Sequence, residues 1–392
     1  MTTTRATTRV VIVSRVYAPE VSAASWLLQA IAASFRDSGC SVTVVTTTPP
    51  ETASIADQPG VRVRRSPALR DRQRYLRGYL GYLSFDLPLF FRLLFSARAD
   101  LYLVEPPPTT TAVVMAIARL RRTPVIVDAA DLWSDAAVMA TRSVVVLGAL
   151  RHLERWGLRR AAHLFAAHAP LIARARELGI HTPATPIGFG ADTEVFRYTR
   201  RPLAAPPLFV YAGTHSEWHG AVIFVEAFAH VLGRIPDARL VFIGNGADRE
   251  LMRERAAALG IAASVEFHRP IDPVALAPVL ATATASLASL RPGQGYDYAF
   301  ATKVYSSMAV GCPVIFTGTG PTVALLDDTS HPPAGVAVRY SARATAAAMI
   351  AASAAPMPAE QRAALASWAA STHSLASIAR LVVDESLAII RN

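Results

Sequence analysis

Short runs of apolar, often β-branched residues alternate with longer stretches of helical periodicity along the whole chain. Runs of this kind, bounded by Pro, Gly or polar turns, are typical of buried strands in parallel sheets. Between the first two runs, residues 24–39 have apolar positions at helical spacing and end on Gly39, a residue suited to a helix C-terminus. The chain is therefore predicted to begin with a βαβ unit. Strands are predicted in the first half at 9–14, 41–47, 101–107 and 124–131.

The second half repeats this alternation, which predicts two open α/β sheets in series, each wound like a Rossmann domain. The join is expected within 182–207, a Pro- and Gly-rich segment without periodicity that we interpret as a hinge. The Ala-rich end, 341–392, is predicted to be helical. Strands are predicted at 208–214, 239–246, 264–270, 285–293 and 312–320, separated by helices at 220–233, 247–260, 273–283 and 302–310.

The domain organisation that follows divides the 392 residues into three parts. We expect an N-terminal Rossmann-like domain over 1–190, a C-terminal one over 191–375, and a last helix over 376–392 that could pack back on the first domain. A content of 52% hydrophobic and 17% charged residues excludes a disordered, collagen-like or coiled-coil chain. The two cysteines form no metal-binding pattern, and no secretory signal is recognised, so a cytoplasmic location is expected.

The formal net charge is +10, and Lys303 is the only lysine. Nine arginines against two aspartates fall within 61–98. A basic surface of this kind could bind nucleic acid, anionic lipid or a phosphorylated substrate, or only face solvent. We expect no nucleic acid, since no known binding module is present. The apolar run 80–97 is too interrupted to span a membrane, but this basic 62–98 region could lie peripherally on one.

Three loops after predicted strands could bind a ligand, because ligands of doubly wound sheets lie at the carboxyl ends of the strands. The loop 15–25 brings small residues to a helix start, either for ligand contact or for helix capping. The loop 291–316 places Lys303 in the first turn of a helix, an unfavourable position unless an anion binds there; the alternative is an exposed lysine. The loop 212–220 contains two histidines, but no zinc-binding spacing.

Seven segments follow one another in a characteristic order: YAPEVSAAS (17–25), VDAADLWSD (127–135), FGADTEVF (189–196), FVYAGTHSEWHG (209–220), FIGNGADRELMRERAAALGI (242–261), EFHRPI (266–271) and ATKVYSSMAVGCPVIFTGTG (301–320). In this ordered combination the chain resembles glycosyltransferase family 4, which consists of retaining GT-B enzymes that use nucleotide-diphosphate sugars.

The resemblance implies roles for individual residues. As catalytic candidates, Lys303 would contact the donor diphosphate and Asp131 would lie beside the sugar. On the donor side it implies Gly213, Thr214, His219, Gly244, Gly246, His268, Arg269, Ile271, Asp297, Tyr298, Ala299, Phe300, Ala301 and Ser306. On the phosphate-facing, acceptor side it implies Glu20, Ser22, Ala23, Ala24 and Ser25.

Two departures from the family pattern stand out. The two glutamates that usually hold the sugar and the ribose are replaced by Tyr298 and Ser306, and the usual Arg/Lys pair at the diphosphate by Thr214 and His219. Hydroxyls still form hydrogen bonds, but with a different reach. We therefore hypothesise an unusual donor sugar or an altered nucleotide position.

The function implied by the resemblance is transfer of a sugar from a UDP- or GDP-sugar to a nucleophilic acceptor, with retention of configuration and without a metal or prosthetic group. The favoured acceptor is a small molecule of specialised, antibiotic-like biosynthesis. The alternatives are a membrane-associated transferase acting on a lipid-linked or polysaccharide acceptor, a GT-B-like nucleotide-sugar epimerase, and a catalytically silent partner protein. The location would be cytoplasmic, with peripheral contact at the inner membrane face as a further option.

Overall fold

The computed structural model describes residues 7–20, 22–49, 57–70, 76, 78–141, 143–293 and 297–391. The chain divides into two compact units. Unit 1 comprises Met1–Phe189 together with Leu375–Asn392, and unit 2 comprises Gly190–Ser374. The chain thus leaves unit 1 once and returns to it with its last segment.

Unit 1 contains a parallel sheet of seven strands: β1 (Arg9–Val13), β2 (Ser41–Thr47), β3 (Val61–Ser66), β4 (Leu101–Val104), β5 (Val125–Ala129), β6 (His163–Ala166) and β7 (Ala184–Pro186). Their order in the sheet is β3-β2-β1-β4-β5-β6-β7. The order reverses between β1 and β4, so the first strand lies near the centre and the crevice at its carboxyl end is the expected ligand position.

The helices of unit 1 include one from the far end of the chain. Its apolar residues Ile378, Val382 and Val383 are buried in the same core cluster as Leu28 and Phe35. The helices are α1 (Ala23–Asp37), α2 (Gly78–Leu94), α3 (Pro108–Arg121), α4 (Trp133–Ala140), α5 (Val144–Leu158), α6 (Ala169–Glu177) and α14 (Leu375–Arg391).

The elements of unit 2 are β8 (Leu208–Ala212), α7 (Val222–Leu232), β9 (Arg239–Ile243), α8 (Arg249–Ala258), β10 (Val265–His268), α9 (Pro273–Thr282), β11 (Ala285–Leu290), α10 (Lys303–Ala309), β12 (Val314–Gly318), α11 (Pro321–Asp327), β13 (Gly335–Val338), α12 (Ala342–Ala354) and α13 (Ala359–Thr372). The six strands form a parallel sheet in the order β10-β9-β8-β11-β12-β13. Here the order reverses between β8 and β11.

The predicted fold class is confirmed, and each predicted strand is present, in most cases shorter than its apolar run. Four strands were not predicted. β3 has the sequence VRVRRS, in which the arginines conceal a strand at the sheet edge, and β6, β7 and β13 have only three or four residues. Tertiary pairing stabilises such short or polar strands, so their own sequence contains little signal.

No helix within the described ranges is both long and apolar enough to cross a membrane. The interrupted apolar run 80–97 folds mainly into α2, which contains Pro88. Part of the basic 62–98 region, residues 71–75 and Arg77, lies outside the described residues.

Candidate functional site

Two loops of unit 2 approach each other at the carboxyl ends of β8 and β9. Gly213 donates its N–H to the Ile243 carbonyl at 2.9 Å, and His215 donates to Asn245 at 2.9 Å. A Cβ at Gly244 would lie 1.9 Å from the Gly213 carbonyl oxygen, and the φ of Gly244 is 153°. A side chain at Gly244 would push the two loops apart. This close approach explains the glycine without invoking a ligand.

Lys303 begins α10 and extends into the space beside Gly213. Its Nζ donates to Tyr211 Oη at 2.8 Å and lies 4.2 Å from the centre of the tyrosine ring. A Cβ at Gly213 would lie 2.7 Å from Lys303 Cε, so the glycine makes room for the lysine. Burial lowers the pKa of Lys303 to about 7. No carboxylate of the described residues forms an ion pair with Lys303.

Two histidines share this environment. His215 is fully buried, and neither of its ring nitrogens has a hydrogen-bond partner in the described part of the chain. Burial, followed by the charges of Arg249 and Lys303, lowers the pKa of His215 to about 4. Burial, followed by Lys303 and His215, lowers the pKa of His219 to about 2. Both imidazoles are therefore neutral near pH 7, so the positive charge close to them is that of Arg249 and of protonated Lys303.

Thr214 and His219 interact with each other. His219 Nδ1 forms hydrogen bonds with the hydroxyls of Ser216 and Thr214, the latter at 3.4 Å. The Thr214 carbonyl accepts from Tyr211 Oη at 2.9 Å. The neutral polar pair predicted from sequence thus lies in the same loop system as Tyr211 and Lys303.

The loop before α10 contains several predicted donor-side residues. Asp297 accepts hydrogen bonds from the Gly293 N–H at 3.0 Å and the Thr319 hydroxyl at 3.2 Å. Ala301 donates its N–H to the buried Thr322 hydroxyl at 3.1 Å, so a ligand would have to compete for this amide. Among the other predicted residues, Ala299 is buried, and Tyr298, Phe300 and Ser306 are half-buried. The ring of Phe300 stacks on that of Tyr305.

The residues after β10 form an exposed edge. His268 contacts Glu266 through Nε2 at 3.1 Å, and its carbonyl accepts from the Gly244 N–H at 3.1 Å. Arg269 and Ile271 are exposed.

Arg249, which sequence reasoning missed, donates to the carbonyls of Gly244 and His268 at 2.6 and 2.7 Å and so links the ends of β9 and β10. Gly246 is also exposed. A Cβ built on Gly246 would lie 2.3 Å from the backbone oxygen of His215, so only a glycine fits against His215 here.

In unit 1, the loop after β1 contains the predicted acceptor-side residues. Glu20 forms an ion pair with Arg70, although burial raises the pKa of Glu20. Ser22 caps α1 by accepting from the Ser25 N–H at 3.1 Å, which matches the capping interpretation. Ala23 and Ala24 are the first residues of α1, and the buried Ser25 hydroxyl has no partner within the described ranges.

Carboxylates that sequence reasoning missed lie at the ends of β4 and β5. Glu105 accepts from the Ser14 hydroxyl at 2.9 Å, and burial, opposed by that bond, raises its pKa to about 8. Burial raises the pKa of Asp128, on β5, to about 7. Asp131 follows β5 and is close enough to raise the pKa of Glu105. Asp131, the catalytic candidate, is thus near the buried Glu105, whose pKa Asp128 also raises. In the sequence, each of these acidic residues lies at the end of an apolar run or just after it, and this position alone could have marked them as candidate site residues.

Among the described residues, no three His, Cys, Asp or Glu side chains are grouped so that they could hold a metal ion. In the loop 212–220, His219 Nδ1 is engaged by the hydroxyls of Ser216 and Thr214, and His215 is buried without a hydrogen-bond partner for its ring in the described residues. The groups available for chemistry around Lys303 include its buried ammonium, the neutral imidazoles of His215 and His219, hydroxyls and backbone groups.

Family models match both halves of the chain. A "glycosyl transferase 4-like domain" model matches residues 23–190, and a "glycosyl transferases group 1" model matches residues 206–354. No curated protein matches the chain significantly.

Solved structures resemble the chain over almost its full length. Sucrose-phosphate synthase from Thermosynechococcus elongatus is 15% identical, with a TM-score of 0.77, covering 98% of this chain and 99% of its own. Anabaena HepE in complex with UDP-glucose is 14% identical, with a TM-score of 0.70 and coverage of 97% and 99%. AviGT4, a glycosyltransferase involved in avilamycin A biosynthesis, is 17% identical, with a TM-score of 0.63 and coverage of 98% of each chain.

These identities are low, so the structures establish the fold, while the two successive domain matches establish the type of enzyme. Two parallel Rossmann-like sheets of seven and six strands, with a glycosyltransferase domain matched in each half, lead to one conclusion. The chain is a glycosyltransferase of the GT-B fold.

Proposed function

We propose that the chain transfers a sugar from a nucleotide-diphosphate donor to a nucleophilic acceptor, with retention of anomeric configuration. The observation that carries this proposal is the ammonium of Lys303, which lies beside the ends of β8 and β9 without a carboxylate partner in the described ranges. An unpaired buried cation is costly unless an anion compensates it. The donor diphosphate is such an anion, and HepE, of similar fold, binds UDP-glucose.

In this proposal, Lys303 stabilises the charge that develops on the departing diphosphate. Preorganised positive charge in a site with little water stabilises a leaving group more strongly than it would in bulk solvent. Thr214 and His219 contribute hydrogen bonds rather than charge, because the pKa of His219 is lowered to about 2. The phosphates are then held by one full charge, supplemented by neutral groups.

Sugar and ribose recognition is proposed to depend on hydroxyls. Tyr298 and Ser306 offer hydroxyl groups, and the nearby Asp297 carboxylate is already engaged by Gly293 and Thr319. A carboxylate accepts two hydrogen bonds from a vicinal diol, whereas a hydroxyl has a shorter reach and fewer acceptor sites. We therefore retain an unusual donor sugar or a shifted nucleotide as part of the proposal.

For the transfer step, we propose a same-face route in which a diphosphate oxygen of the leaving group accepts the proton of the acceptor. The new glycosidic bond forms on the face from which the diphosphate departs, so the configuration is retained and no enzyme nucleophile is needed. We further propose that the reaction needs no metal. Activity that survives prolonged treatment with chelator supports this point, and activity restored only by added Mg²⁺ contradicts it.

For the acceptor, we propose a small molecule of a specialised biosynthetic pathway, on the support of the similarity to AviGT4. A lipid-linked acceptor is the second candidate, favoured by exposed apolar side chains on α2 such as Leu83, Leu87 and Phe91.

The experiment begins with a panel of UDP-, GDP-, dTDP- and ADP-sugars screened by thermal shift. A ligand at a hundredfold excess over its Kd stabilises the folded state by ~2.7 kcal/mol. The donor so identified is then incubated with acceptor candidates, and the anomeric proton coupling of the product is read by NMR. A product with the donor's configuration supports retaining transfer. Inversion contradicts it, and a changed donor sugar formed without any acceptor identifies an epimerase instead.

A further inference from the structure

The helix α2 in unit 1 is apolar on two opposite sides. On one side Phe85, Leu89 and Leu93 are buried against the unit. On the other side, five apolar side chains have exposed fractions between 50% and 81%: Leu80, Leu83, Leu87, Phe91 and Phe95. We call these five residues the outer stripe. The spacing of three and then four residues places all five on one helix face. A helix in contact with water on this side would normally be polar there.

The outer stripe is long and continuous. Phe95 extends the helix by one residue, since its N–H donates to the Phe91 carbonyl at 2.9 Å. At 1.5 Å per residue, Leu80 and Phe95 are about 22 Å apart along the helix axis. Leu69, which is 62% exposed, widens the surface, because its N–H donates to the Ser84 hydroxyl on α2 at 2.9 Å. Contiguous exposed apolar areas of this size mark interaction sites.

The charge around the outer stripe is positive. Arg92 on α2 is exposed and donates to the Arg65 carbonyl on β3 at 3.2 Å, and the same edge strand exposes Arg62 and Arg64. Arg98 is exposed just beyond the helix. Within the described residues 61–70 and 78–99, the one carboxylate is that of Asp86, which is buried in an ion pair with Arg15 at 2.7 Å. Arg65 and Arg70 form ion pairs with Asp57 and Glu20, which lie outside these ranges. The surface therefore presents four arginines that form no ion pair with a carboxylate of the described residues, namely Arg62, Arg64, Arg92 and Arg98.

We propose that the outer stripe and its arginines dock unit 1 on an anionic lipid surface. Leucine and phenylalanine side chains enter the region of the acyl chains, and arginines beside them contact the phosphates of the headgroups. A second copy of the chain fits less well, because two facing arginine-rich surfaces repel each other. The proposal concerns where the enzyme works, and it does not depend on the identity of donor or acceptor.

The test is co-sedimentation of the full chain with vesicles of pure phosphatidylcholine or of phosphatidylcholine mixed with phosphatidylglycerol. Binding is expected only to the anionic vesicles, and ~1 M salt is expected to weaken it, because the Debye length then falls to ~3 Å. The double substitution Leu83→Ser and Leu87→Ser is expected to lower the partition coefficient about tenfold or more. The second variant, Arg62→Gln with Arg64→Gln, is expected to lower anionic binding while leaving the outer stripe intact.

Matched controls lie in unit 2, where Leu251 and Val274 are also exposed apolar residues and Arg234 and Arg343 are exposed arginines. Leu251→Ser with Val274→Ser, and Arg234→Gln with Arg343→Gln, are expected to bind vesicles like the unmodified chain. Thermal melting checks that all variants fold. Equal binding by all variants, or no binding to anionic vesicles at low salt, overturns the proposal. A dimer in solution that becomes a monomer on Leu83→Ser and Leu87→Ser also overturns it, since a second copy then covers the stripe.

Discussion

At the scale of single residues, the most unusual feature is a lysine without an acidic partner in the described structure. Its uniqueness in an arginine-rich chain, and its position at the start of a helix, could be recognised from the sequence. The contact with Tyr211 and the proximity of His215 and His219 could not, because they depend on how β8 and α10 meet. The sequence alone therefore singles out Lys303 as a candidate for binding an anion, whereas its pKa depends on the tertiary packing around it.

The lowered pKa of Lys303 predicts how donor binding depends on pH. In the free enzyme the pKa is about 7, and a bound diphosphate raises it by favouring the charged form. Binding therefore takes up a proton above pH 7. The affinity for an intact nucleotide sugar is expected to be constant below pH 7 and to fall above it, by at most about tenfold per pH unit. Calorimetry in buffers of different ionisation enthalpy would measure the uptake. An affinity that rises between pH 7 and 9 would contradict this assignment.

Glu105 leads to a prediction about stability. Its pKa is about 8 in the folded chain against an ordinary value of 4.5, so the unfolded chain releases this proton at lower pH than the folded one. The free energy of unfolding therefore falls as the pH rises from about 4.5 to about 8. Glu105→Gln is expected to stabilise unit 1 above pH 8 and to have little effect near pH 5, as measured by urea unfolding. The exposed Glu250→Gln serves as the control without such a pH-dependent difference.

At the scale of secondary-structure elements, long apolar runs could be assigned from sequence, whereas the short or arginine-rich strands β3, β6, β7 and β13 could not. RVVIVS and PVIVDAAD contain enough β-branched residues to identify β1 and β5. β7 has three residues of which none is buried, so its pairing with β6 determines its conformation. The start of α4 could not be predicted from its own sequence either, because a side chain from a distant part of the sequence accepts hydrogen bonds from its first turn.

That side chain is Glu154 on α5, which accepts hydrogen bonds from the N–H groups of Trp133 and Ser134 at 2.7 and 3.2 Å. A carboxylate satisfies both donors at the start of α4, whereas an amide has one acceptor oxygen. Glu154→Gln is expected to lower the stability of unit 1 by about 1–3 kcal/mol and to speed amide exchange at the start of α4. Because Asp131 directly precedes this turn, its position is expected to loosen as well. Unchanged exchange at Trp133 and Ser134 would show that α4 does not need this cap.

At the scale of the whole molecule, the series of two Rossmann-like sheets could be predicted because strands and helices alternate over the entire length. The chain's return to unit 1 is less apparent locally, since an amphipathic helix at 375–391 does not show by itself which core it joins. The structure shows which core α14 joins, because its buried residues belong to the same hydrophobic cluster as those of α1 and the first strands. The core of unit 1 therefore includes residues that follow unit 2 in the sequence.

This arrangement predicts that damage to α14 affects unit 1. Ile378 is 3% exposed within that core, and Ile378→Ala is expected to cost about 2–5 kcal/mol of stability. The loss should appear as earlier hydrogen exchange in β1 and α1, while β8 and β9 keep their protection. The exposed Leu381→Ala on the same helix is the matched control. Equal deprotection of both units would contradict the division described here.

The central claim is that Lys303 binds the diphosphate of a nucleotide-sugar donor, and calorimetric titration with the donor tests it most directly. The titration compares the unmodified chain with Lys303→Met, which keeps the length of the side chain and removes its charge, and with the exposed Arg253→Met as control. Loss of one charge-assisted contact, about 1.5–3 kcal/mol, predicts roughly tenfold to hundredfold weaker binding for Lys303→Met alone. Equal affinity of a folded Lys303→Met and the unmodified chain would contradict the claim, as would no binding of any nucleotide sugar.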